Sequence, residues 1–130
     1  MKRYLLLVCF GLCLLGTSVS FRPHGEGTLL RFSSTHLDLP AVDEDNYYTY
    51  YYRFTNSGSS AVRILGIESS HDCLSISAPL GPIAAGATDS IKVVLSTHQR
   101  IGPSYKAFTV LTDESFWSFY ILSLRTDIQH

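Results

Sequence analysis

Residues 47–58 read Tyr-Tyr-Thr-Tyr-Tyr-Tyr-Arg-Phe-Thr-Asn-Ser-Gly, and no other stretch constrains the fold as strongly. Aromatic and β-branched side chains suit a pleated, half-buried surface, so the run predicts a strand. It stops at Asn56 to Gly58, residues that tolerate positive φ where a backbone reverses, which predicts a hairpin corner. Alternation puts Tyr48, Tyr50, Tyr52 and Phe54 on one face and Tyr47, Thr49, Tyr51 and Arg53 on the other. One of the two faces the core.

The rest of the chain keeps the same rhythm of short apolar runs between turn residues. Residues 28–39 hold two short β-like pieces around Ser33-Ser34-Thr35, ended by Pro40, and residues 40–46 read as a loop. Residues 61–68 predict a third strand, with Val62, Ile64 and Gly66 on one side and Leu65 and Ile67 on the other, covered on both. A short piece follows at residues 73–77. Residues 79–88, with Gly81, Pro82 and Gly86, form a long turn before Ile91, Val93 and Leu95 alternate with Lys92, Val94 and Ser96. Gly102-Pro103 makes a corner, residues 105–112 a sixth strand, Asp113-Glu114-Ser115 a tight turn and residues 116–125 the last strand. No stretch has helical spacing with caps. The expectation is an all-β, antiparallel, seven-stranded immunoglobulin-like sandwich with Greek-key connections.

The N-terminus predicts the compartment. Met1-Lys2-Arg3 precedes an apolar stretch from Tyr4 to Gly16 and the small-residue pattern Ser18-Val19-Ser20, so residues 1–20 read as a secretory signal peptide cleaved between Ser20 and Phe21. The apolar stretch is shorter than the roughly 20 residues that cross a bilayer, so no membrane span is expected after cleavage. Cys9 follows Val8 and Cys13 follows Leu12, which does not fit lipoprotein processing. Residues 21–27 are a polar, flexible lead, and residues 28–130 one domain. Secretion or residence in the periplasm follows.

Loss of the leader leaves 8 basic against 11 acidic residues, a formal charge of −3. The basic residues are scattered singly, which argues against a nucleic-acid partner. Cys73 alone remains of the three cysteines. A disulfide framework is excluded, and the thiol is either buried and inert or available to pair with another chain.

The order of short elements resembles a known family. Phe54-Thr55-Asn56-Ser57-Gly58, Ile64-Leu65-Gly66-Ile67, a cysteine site, Pro82-Ile83-Ala84-Ala85-Gly86, and Gly102 through Lys106-Ala107-Phe108-Thr109-Val110 are similar to a bacterial secreted immunoglobulin-like family of unknown function. That family is related to Hydin-like and major-sperm-protein-like (ASH-type) domains, and the resemblance spans about residues 30–125. It implies a seven-stranded sandwich used as a non-catalytic module in assembly or adhesion. The family's Cys-Gly-Cys site is degenerate here, reading His71-Asp72-Cys73, so a role for a thiol pair does not carry over.

His71 and Cys73, two apart on a strand, would share a face and suit Cu(I) or Zn(II), but two ligands are too few. His24, His36, His98 and His130 lie at spacings that indicate no third ligand. A Cys-His nucleophile would need a third orienting group and oxyanion donors, and no Gly-x-Ser-x-Gly, His-Glu-x-x-His or phosphate loop occurs. Asp43-Glu44-Asp45-Asn46 lacks the spacing and glycine of a calcium loop and reads as an exposed acidic loop. No enzyme activity, metal or cofactor is expected.

The aromatic surplus carries the functional expectation. On the last strand Phe116, Tyr120, Leu122 and Leu124 occupy one face and Trp117, Phe119 and Ile121 the other. A two-layer sandwich buries only one face of each strand, so the surplus is either covered by the protein's own loops or left as a docking surface. Tyr47, Tyr51, Trp117 and Phe119 are the candidate partner surface, and a strand edge is a second route to a partner. Carbohydrate or surface-polymer binding through stacked rings is the alternative. A groove of coplanar rings would favour sugar, whereas a flat apolar patch or open edge would favour protein.

Overall fold

The computed structural model describes residues 29–114 and 119–130, and the leader and the lead lie outside them. The described residues form nine strands and no helix: β1 (Leu30–Phe32), β2 (His36–Asp38), β3 (Val42–Asp43), β4 (Tyr47–Asn56), β5 (Ile64–Glu68), β6 (Leu74–Ser77), β7 (Thr88–Ser96), β8 (Gly102–Thr112) and β9 (Phe119–Gln129). They make two sheets, ordered β1-β4-β7-β6 and β2-β9-β8-β5, with β3 also on β9. No helix of the described residues is long and apolar enough to cross a membrane.

Nine strands replace the expected seven because the first segment is split in two and a further short strand forms in the expected loop after it. β1 runs antiparallel to β4, with Leu30 opposite Asn56. The Ser33 amide donates to the Arg53 carbonyl at 2.9 Å, and the chain then crosses to the other sheet. There β2 runs parallel to β9, with His36 opposite Ser123, so the expectation of purely antiparallel pairing is corrected. Pro40 has no N–H to give the ladder and interrupts the strand. Pairing resumes at β3, with Val42 opposite Ile128, inside what reads in the sequence as a loop.

The Asn56 to Gly58 corner is not a hairpin. β4 pairs with β1 and β7, whereas β5 pairs with β8 in the opposite sheet, so the corner carries the chain between layers. Nor does it use positive φ, which among the described residues occurs at Asp45, Gln99, Gly86 and Gly102. A Cβ at Gly58 would lie 2.9 Å from Leu29 Cδ2, the movable end of a flexible side chain.

The alternation read in β4, β7 and β9 holds. Tyr52 and Phe54 from β4, and Ile91, Val93 and Leu95 from β7, meet Phe108, Val110, Leu122 and Leu124 from β8 and β9 in one buried cluster. Each fully buried side chain of this size contributes roughly 1.5–3 kcal/mol. β5 departs from its expectation of cover on both sides. A bulge between Ile64 and Gly66 shifts its register on β8, and Leu65 is left 63% exposed. β8 begins at Gly102 itself, which has φ 100°, rather than after a Gly-Pro corner. β9 extends to Gln129, past the Arg125 at which the sequence reading ends it.

Candidate functional site

His71 and Cys73 do not share a strand face. They lie in the turn before β6, where the Leu74 amide donates to the His71 carbonyl at 3.3 Å and Ser96 N–H donates to the Cys73 carbonyl at 2.8 Å. The Cys73 side chain joins the hydrophobic core, which takes its thiol away from a partner chain. Among the described residues no group of three or more His, Cys, Asp or Glu is placed to hold a metal ion. The acidic loop is engaged within the protein: Asp45 accepts from the Gln99 amide at 2.9 Å and pairs with His98 at 3.2 Å, and Glu44 pairs with His130.

The four aromatic candidates do not form one surface. Tyr47 and Tyr51, 77% and 54% exposed, lie on the outer face of the four-stranded sheet. Register sets Tyr47 opposite Ser96, Thr49 opposite Val94 and Tyr51 opposite Lys92, so this face is mostly hydroxyl-bearing. Phe119 lies on the five-stranded sheet, on the other side of the sandwich. Trp117 lies outside the described residues.

Around Phe119 the outer face of the five-stranded sheet carries several apolar side chains, with Thr109 and Glu68 at their margin. Phe119 sits opposite Leu111, Ile121 opposite Thr109, and the bulged edge of β5 brings Leu65 beside Leu111. Ile121 is 59% exposed, comparable to Leu65. The outward alternation of β9 places Ile121 with Phe119 in the sequence. Leu65 could not be found that way, because the bulge that turns it outward leaves no mark on residue type.

On the opposite face, Tyr51, Arg53, Thr88, Asp89 and Ser90 line a shallow depression of about 280 Å³. It sets one aromatic ring beside a carboxylate, a guanidinium and hydroxyls. Inside the sandwich, burial and then the neighbouring Tyr48 push the Tyr50 phenol above its usual pKa. Burial and then Tyr105 do the same to Tyr52. Both phenols stay neutral at physiological pH; Tyr50 packs against the core, and Tyr52 packs within it and donates a hydrogen bond to the Ser123 carbonyl.

Solved structures repeat this architecture. The ASH / PapD-like domain 7 of human CEP192 matches 79% of this chain and 87% of that one, with a TM-score of 0.65 at 9% identity. The YadV chaperone matches 79% of this chain and 53% of its own, with a TM-score of 0.55 at 16% identity. WR4, a C. elegans MSP family member, matches 79% of this chain and all of its own, with a TM-score of 0.51 at 9% identity. At such identities the likeness establishes the fold alone, an immunoglobulin-like sandwich of PapD-like and MSP-like kind. A search of curated proteins gives no match. A family model spans residues 30–127, nearly all of the two sheets, and the chain therefore belongs to the family described as Protein of unknown function (DUF1573).

Proposed function

We propose that this chain is an exported, non-enzymatic module that binds a partner protein through the outer face of its five-stranded sheet. One observation carries the reading: Leu65 and Ile121, 63% and 59% exposed, stand on a sheet whose inner face already fills the core. Exposed apolar side chains on one sheet face favour a protein over a sugar. The basic, apolar and small-residue zones of residues 1–20 support export. The absence from the sequence of the nucleophile, metal and phosphate-binding motifs supports a module without catalysis.

Arginine in place of Ile121 introduces a charge into the patch without touching the core. Loss of an apolar anchor costs about 1–2 kcal/mol or more at an interface, so partner capture after chemical crosslinking should fall about tenfold. Circular dichroism and the melting temperature should stay at their wild-type values. Capture at wild-type level by the folded variant would remove this face from the function.

The depression at Tyr51 favours a second reading, binding of a surface polysaccharide. Stacking on the ring with hydrogen bonds to Asp89 and Ser90 is the chemistry it offers. If it operates, Tyr51→Ala should abolish calorimetrically measured binding of envelope polysaccharide, and wild-type protein that gives no heat with such polymers would exclude it.

A further inference from the structure

We propose that two copies of this chain associate by antiparallel pairing of the N-terminal half of β4, Thr49 opposite Thr49. Hydrogen-bond direction alternates along β4. The Arg53 carbonyl and the Ser57 amide bond to the β1 side, whereas the Asn56 amide bonds to Ala87 before β7. Odd-numbered residues therefore direct their N–H and C=O toward β1. β1 covers only residues 54–56 of β4 before the chain crosses to the other sheet. The backbone groups of Tyr47, Thr49 and Tyr51 are left without a partner among the described residues.

Folded proteins blunt open edges with brevity, charge, proline or bulges. The other edges here show these devices: β6 has 4 residues, β5 carries its bulge and ends in Glu68, and β2 and β3 are split at Pro40. From Tyr47 to Tyr52 the β4 edge has no charge, no proline and no bulge.

One register of a second copy engages all three open residues of this edge. With Thr49 on a two-fold axis, Tyr47 of each copy faces Tyr51 of the other, and the three odd residues on each strand complete about six hydrogen bonds. Tyrosine then pairs with tyrosine and threonine with threonine on the outer face, combinations that stabilise sheets. The same register sets Arg53, which has no ion pair among the described residues, at the level of Asp45 of the other copy. Asp45, at φ 58°, turns the chain out of the strand, so each pairing segment ends where the other copy's β1 begins. The pairing does not involve the Ile121 face, and either surface stands if the other fails.

The test is sedimentation equilibrium of protein produced from the full sequence, from about 10 μM to 1 mM, since so short an interface gives a weak dimer. Thr49 is exposed and its amide points away from β7, so Thr49→Lys and Thr49→Glu should fold. Each alone places like charges on the axis and should raise the dimer Kd about tenfold, and an equimolar mixture should restore association. In wild-type protein, hydrogen exchange of the Tyr47, Thr49 and Tyr51 amides should slow as concentration rises. A wild-type monomer throughout the range, single variants that dimerise normally, a mixture no better than its components, or exchange independent of concentration would each overturn the proposal.

Discussion

Replacing Tyr52 by alanine is expected to destabilise the protein by about 3–5 kcal/mol, a large fraction of the total for a domain of this size. Tyr52 projects from β4 in one sheet and is 1% exposed. Its ring meets Phe108 of β8 edge-on, with centroids 5.5 Å apart and planes at 82°. Its O–H donates to the Ser123 carbonyl of β9 at 2.6 Å. One side chain thus ties both central strands of the opposite sheet to β4, by an aromatic contact and by a buried hydrogen bond. Alanine removes both and leaves a cavity between the layers.

Tyr52→Phe separates the two contributions. The ring contact stays and the hydrogen bond is lost, so the cost should be about 1–2 kcal/mol. Urea denaturation of the three proteins, with unchanged m-values, measures both terms. Burial raises the Tyr52 pKa in the folded state above its value in the unfolded chain. The neutral phenol is therefore favoured by folding, its contribution is fully present below about pH 10, and it is lost as pH rises through the folded pKa. The wild type should lose stability above about pH 10 more steeply than Tyr52→Phe. Identical alkaline slopes, or a Tyr52→Ala protein as stable as Tyr52→Phe, would contradict this account of how the sheets are held.

The features legible in the sequence were those fixed by neighbours along one strand. Period-two alternation identified Tyr52 and Phe54, Ile91, Val93 and Leu95, and Leu122 with Leu124 as inward-facing, because each strand contributes one face to the core whatever its partners are. Which sheet a strand joins depends on residues far away in the chain. That is why Tyr47, Tyr51 and Phe119 looked like one surface and stand on two. The same limit hid the parallel pairing of β2 on β9, since Leu37 faces Leu124 across 87 residues with no local trace. Turn chemistry misled at Asn56-Ser57-Gly58, because residues that suit a reversal also suit a crossing between layers. The Leu65 bulge and the open edge of β4 are consequences of register, which residue types alone do not encode.

That corner makes Asn56→Asp the second large effect, although it changes only an amide to a carboxyl. Asn56 is 0% exposed. Its Nδ2 donates to the Ser60 carbonyl at 2.8 Å and the Ile83 carbonyl at 2.9 Å, and its Oδ1 accepts from the Gly58 amide at 3.0 Å. The side chain therefore holds the exit of β4, the loop after it and the loop before β7 together. An ionised aspartate keeps the acceptor but turns a second oxygen toward two carbonyl oxygens, with no donor between them and little water to screen the charge. A cost of about 3–5 kcal/mol at pH 7 is expected. Protonation relieves part of it, since a neutral carboxyl regains one donor, so the folded-state pKa of the introduced carboxyl must lie above the unfolded value of about 3.9. A raised carboxyl pKa means that the variant's deficit relative to wild type is smallest below about pH 4 and widens as pH rises through the folded pKa. Asn56→Ala, which loses the same bonds without adding a charge, should cost about 1–3 kcal/mol at every pH. Urea titrations of all three proteins at pH 3.5 and pH 7 decide the matter, and an Asn56→Asp deficit that is equal at both would show that the amide's two donated bonds do not hold the corner.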